Sequence, residues 1–127
     1  MNTAFKLEEL NQFSGSEQFF KHGLNRKLVY TEGIQYLAEK TKCYWMIDVI
    51  ALVFYPVLLK KHKDYFYSIK FIAREDKSGL FTVEDGNNNV HFTHRIKYTS
   101  FPILEKPVRF YLCESEDCYC LMLTGEY

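Results

Sequence analysis

Three cysteines crowd the end of the chain as Cys113-x4-Cys118-x-Cys120. A structural zinc site wants four ligands, commonly as paired C-x2–4-C, and this spacing fits that poorly. Residues two apart on a strand share a face, so Cys118 and Cys120 point the same way, and the turn allows Cys113 to face Cys118. His91 or His94 would have to complete such a set. The expectation is ordinary thiols, buried or half-buried, with no metal and no cofactor. Cys43 and a distant histidine would also make a nucleophile pair in space, but no Cys or Ser sits in a recognisable nucleophile motif. His22, His62, His91 and His94 therefore read as hydrogen-bonded core or edge residues.

Asp48 is the lone charge in the apolar run Cys43 to Leu59. Such a carboxylate is a candidate general acid or base. Tyr44, Trp45, Ala51 and Leu52 offer it little polar company, which favours an anchor that hydrogen-bonds a Tyr hydroxyl, a backbone N–H or an Arg. Trp45 and Asp48 are thus candidate structural anchors. The basic run Lys60-Lys61-His62-Lys63 makes Lys60, Lys61 and Lys63 a candidate contact patch for phosphates or an acidic protein surface. No G-x-G or G-K-[ST] phosphate loop occurs. Adjacent acids fall in turns, at Glu75-Asp76, Glu84-Asp85 and Glu116-Asp117, besides Glu8-Glu9 near the start. No catalytic residue is assigned, and the chain is expected not to be an enzyme.

The elements that must position these groups come in two kinds. Met1 to Leu10 reads as a weak helix or arm. Ser16 is expected to cap a short helix through Gln18, Phe19 and Phe20, which Gly23 ends. Thr31 is the expected N-cap of the next helix, with Glu32 in its first turn and Ile34, Leu37 and Ala38 at helical spacing. A third helix, from near Lys42 to Tyr55, is apolar almost all round and should be the central buried one, limited by Pro56. From Tyr65 the period becomes two. Strands are expected from Tyr65 to Arg74, Leu80 to Glu84, Val90 to Tyr98, Val108 to Cys113 and Cys118 to Leu123. Asp85-Gly86-Asn87-Asn88-Asn89 is a strong turn. Helices followed by hairpin-linked strands predict an α+β fold, with N-terminal helices packed on one face of an antiparallel sheet of about five strands. Residues 1–127 read as a single domain.

Composition narrows the function classes. The chain is 47% hydrophobic with 10 Tyr and 11 Phe, which excludes disorder. Its formal net charge is zero: residues 1–63 hold nine basic and six acidic groups, and 64–127 hold seven and ten. Nucleic-acid binding draws most of its affinity from a basic excess, so a local patch would have to supply it. Cys43 to Leu59 has the 17 residues of a minimal membrane span, but Asp48 and Pro56 favour a buried helix, and no membrane association is expected. No basic region followed by an apolar stretch opens the chain, so the expected compartment is the cytoplasm, with reduced cysteines.

LNQFSGSEQFF (Leu10 to Phe20), LVYTEGIQYLAEK (Leu28 to Lys40), YWMIDVIA (Tyr44 to Ala51), DGNNNV (Asp85 to Val90) and YTSFP (Tyr98 to Pro102) resemble a small bacterial family catalogued as domain of unknown function 6876. The likeness runs from Leu10 to the final hairpin. It implies a protein of similar size, of a kind common in cyanobacteria and also met on mobile elements. It carries over no catalytic residue. It does imply that the Trp45/Asp48 helix and the Asp85 turn belong to the fold. The Cys113 to Cys120 end is not part of the resemblance.

Elimination and ring content then favour a non-enzymatic protein-binding module, since aromatics are enriched at contact cores. Its partner would be another protein, alone or in a nucleoprotein complex. The concrete version is a mobile-element accessory protein that inhibits a host defence nuclease, of the anti-CRISPR type. One alternative is a binder of RNA or single-stranded nucleic acid, with Tyr65, Tyr67, Phe71, Lys70 and Arg74 as a stacking face, although helices should cover that face. Another is an enzyme using Asp48 or the Cys/His set. A homodimer would pair an edge strand such as Cys118 to Leu123.

Overall fold

The computed structural model describes residues 6–13, 18–61, 66–85, 87, 89–104, 106–115 and 118–126. Its strands are β1 (Phe19–Lys21), β2 (Leu28–Thr31), β3 (Phe66–Ala73), β4 (Gly79–Asp85), β5 (Val90–Ile96), β6 (Val108–Ser115) and β7 (Cys118–Leu123). They form one mixed sheet in the order β1-β2-β7-β6-β3-β4-β5. Helix α1 spans Glu32–Thr41. Helices α2 (Trp45–Val49) and α3 (Tyr55–Lys61) join through a π-helical turn, Ile50–Phe54.

This overturns the expected five-stranded antiparallel sheet. The stretch read as a Ser16-capped helix is strand β1 at Phe19–Lys21, while Ser16 lies outside the described residues. Leu28–Thr31 is a further strand, and it runs parallel to β7. Both segments are too short to display a period, and their partners lie far along the chain, so nothing local marks them as strands. β7, expected at an edge, is an interior strand between β2 and β6. Arg74, Tyr98 and, at the far end of β4, Asp85 differ from the expected boundaries only by the ordinary fraying of strand ends; Tyr65 lies outside the described residues.

Alternation along the strands separates two faces. Tyr67, Ile69, Phe71 and Ala73 of β3 are buried, and the residues between them are half-buried. The buried set joins Phe81 and Val83 of β4, Phe110 and Leu112 of β6 and Leu121 of β7 in one cluster with Ile34, Leu37, Met46, Ile50, Phe54 and Leu58 of the helices. The helical segments therefore lie over this face. Gly79 is required here: a Cβ on it would stand 2.4 Å from the Phe71 ring.

α1 begins as its sequence dictates. Thr31 Oγ1 accepts a hydrogen bond from Ile34 N at 3.3 Å, satisfying one of the helix's orphan donors. It ends at Lys42, whose φ of 58° turns the chain into α2. Pro56 was expected to limit the next helix, yet the helix continues to Lys61. The π turn accounts for this. Tyr55 N donates to Ile50 O, five residues back, so the Ala51 carbonyl loses its usual α-helical donor, and Pro56 has no N–H to offer in its place. The Asn25 side-chain amide donates to Ala51 O at 2.9 Å instead. A polar group inserted into the helical ladder is a recognised cause of such a distortion.

Candidate functional site

Trp45 is half-buried, its ring edge-on to Phe71 at 5.9 Å and to Phe81 at 6.2 Å. Asp48 faces outward, with 62% of its side chain exposed. His22 is buried beside it, and its Nε2 lies 2.7 Å from Asp48 Oδ1. The other ring nitrogen, Nδ1, accepts from Leu24 N at 3.2 Å and Asn25 N at 3.0 Å. An acceptor nitrogen carries no hydrogen, so Nε2 is the donor to the carboxylate. Both nitrogens are thus engaged, and neither is left to take a proton from a substrate. The pair instead fastens the β1–β2 turn to the helix, alongside the Asn25 contact to Ala51.

The helix does not bury its whole circumference. Tyr44, Asp48 and Leu52, at four-residue spacing, look outward, and so does Val53, for the wider π turn brings adjacent residues to one side. Leu52 and Val53 are 45% and 43% exposed. Leu24, at the tip of the β1–β2 turn, is 78% exposed. Between turn and helix lies a shallow cleft of about 200 Å³ lined by His22, Gly23, Leu24, Tyr30, Tyr44, Ile47 and Asp48. This apolar surface around one carboxylate is the candidate site. Sequence reasoning singled out Asp48 but missed His22, Leu24, Leu52 and Val53. The signal was present in the all-round apolarity of the helix, which was read as complete burial.

The other sequence candidates are not brought together. Lys60 and Lys61 fall on the last turn of α3, but their side chains, and Lys63 entirely, lie outside the described residues. Cys113 pairs in register with Cys120, and Cys118 with Ser115, so the three thiols share the face away from the helices. His94 packs edge-on to Phe54 at 5.6 Å and His91 to Tyr67 at 5.7 Å, both on the helix side. The sheet therefore separates those histidines from the cysteines. Among the described residues no group of three or more His, Cys, Asp or Glu could hold a metal ion. Burial pushes the Cys113 thiol up to about 11 and the Cys120 thiol up to about 12, which keeps both protonated and poor as nucleophiles. Cys43 is buried and donates to Thr41 O at 3.2 Å. Tyr67 and Phe71, considered as stacking rings, are core residues.

Among the described residues no helix is long and apolar enough to cross a membrane. No curated protein and no solved structure matches the chain. Residues 4–127 do match one family over nearly the full length, and the chain accordingly belongs to the family of unknown function DUF6876.

Proposed function

We propose that this chain is a non-enzymatic protein-binding module that takes its partner on the outward face of the α2–α3 helix. The observation that carries this is the exposure of Tyr44, Leu52 and Val53, with Leu24 beside them, on a helix whose sequence is apolar all round. Such a helix belongs inside a protein or against another surface, and a clustered apolar patch on the exterior marks a contact surface. Asp48 at the centre of the patch favours a partner that presents a Lys or Arg among apolar side chains. The full engagement of His22 and the protonated thiols weigh against the catalytic alternative.

The test is affinity capture from host lysate with the intact chain and with Leu52→Glu/Val53→Glu, each with and without nuclease. A stoichiometric protein that survives nuclease and is lost with the double variant is the expected result. If that protein is a defence nuclease, the mobile-element accessory role follows. Capture that is indifferent to the double variant would sink the assignment of the surface.

A further inference from the structure

The face of the sheet turned away from the helices has its own chemistry. Register places Phe66, Ser68 and Lys70 of β3 beside Cys113, Tyr111 and Arg109 of β6, the central strand of the sheet. The Phe66 and Tyr111 rings lie 4.8 Å apart, both half-buried. One step along the same strands, Lys70 and Arg109 stand directly opposite each other. Like charges in that relation repel. Glu84 relieves only one of them, through a 3.1 Å contact to Lys70. Among the described residues no carboxylate pairs with Arg109 or with Lys106. Those two cations also line a cleft of about 480 Å³, with Leu10, Phe13, Pro107 and Leu123 as its apolar walls.

We propose that this face is a second binding surface, and that it takes single-stranded nucleic acid. The charge asymmetry selects the occupant. The whole chain is neutral, yet on this face of the described strands Glu84 is the one carboxylate beside the ring pair, Asp85 and Glu114 alternating to the other side, and it is already paired. A cation two residues from a ring on one strand, with a second cation opposite it, meets the alternation of phosphate and base in an unpaired strand. Arg109 and Tyr111 are two residues apart on β6, roughly 7 Å, close to the rise of one extended nucleotide. Ser68 and Thr82 add hydroxyls in the neighbouring register positions. Sequence-tolerant binding is expected, since rings stack on any base. This surface is independent of the helix patch. The two together would let one module hold the protein and the nucleic acid of a single complex.

The test is fluorescence anisotropy of the full chain against labelled oligouridylate and oligothymidylate of about 15 nucleotides at low salt. Saturable binding is expected, with log K falling against log salt at a slope of about −2, as about three phosphate contacts on a single strand require. Arg109→Glu, at an exposed position, should weaken binding about tenfold and flatten that slope. Tyr111→Ala should weaken it roughly fivefold or more without changing the slope. Thermal melts of both variants check that the fold persists, and Arg109→Glu serves alone if Tyr111→Ala does not fold. A flat titration at low salt, or affinity unchanged by Arg109→Glu, overturns the proposal. So does sedimentation showing self-association that Arg109→Glu abolishes, which would give the face to a second copy of the chain.

Discussion

Thr31 and Glu126, 95 residues apart, are joined by a 2.6 Å hydrogen bond from hydroxyl to carboxylate in a buried setting. The same carboxylate accepts from Leu123 N at 2.9 Å and from Gly33 N at 3.3 Å. It therefore sits at the N-terminus of α1, where both the orphan N–H groups and the helix dipole favour negative charge. Thr31 caps the helix from the front, and Glu126 reinforces the cap from the far end of the chain.

Removing that carboxylate should be costly. Glu126→Ala leaves buried donors without acceptors, and a loss of about 1–3 kcal/mol is expected, measured as a fall in the urea midpoint. Gly33→Ala probes the same contact from the other side. A Cβ there would stand 2.6 Å from Glu126 Oε1 and 2.7 Å from Leu123 Cδ1. A comparable loss is expected, and it should be less than additive with Glu126→Ala because the two sites touch.

The Asn25–Ala51 contact yields a prediction about Pro56. Asn25→Ala should cost about 1–2 kcal/mol, the usual penalty for an orphaned carbonyl. In a Pro56→Ala background the new backbone N–H can serve the freed carbonyl. The cost of Asn25→Ala should then shrink, and a double-mutant cycle by chemical denaturation reads the coupling directly. Equal cost in both backgrounds would refute this account of the π turn.

The thiols should be quiet in the folded state. With Cys113 near 11 and Cys120 near 12, iodoacetamide at about pH 8 should label them far more slowly than a free thiol. Cys43 should be slow through burial alone. Peptide mapping after timed quenching is the measurement, and urea should equalise all four cysteines. Rapid native labelling of Cys120 would contradict its placement.

Acid sensitivity has a defined sign. Hydrogen bonds from Ser78 hold the Asp76 carboxyl below its ordinary value, and those from Asn89 and Asn87 do the same for Asp85. A carboxyl whose folded value is depressed stabilises the fold above its unfolded value, and that contribution disappears as pH falls through the folded one. The urea midpoint should accordingly drop as pH falls below about 4, the ordinary Asp range. Asp85→Asn should make that drop shallower. A steeper decline in the variant would reverse the sign and refute the assignment.

Legibility differed along the chain for physical reasons. β3 and β6 announce themselves because burial alternates along them, so Tyr67, Ile69 and Phe71 alternate with Ser68 and Lys70. The Thr31 cap was readable because capping is local chemistry. β1 and β2 were not, since three and four residues carry no period and their neighbours are remote. The partner of Asp48 was equally hidden: His22 lies 26 residues away and reaches it only once the β1–β2 turn folds against the helix. The helix itself was legible as apolar, but no pattern in one sequence says which apolar face a domain keeps for itself.

The parallel pairing of β2 with β7 also sets a timetable. Leu28 lies beside Tyr119, so during vectorial synthesis β2 exists for about ninety residues before its neighbour is made. Until then β2 is flanked on one side only, by the three-residue β1, and the Glu126 that completes the α1 cap has not been joined to the chain. Closing so long a loop is slow and is rewarded late. The nascent chain must hold Leu28, Val29 and Tyr30 in waiting, and the last hairpin is the piece that locks the sheet.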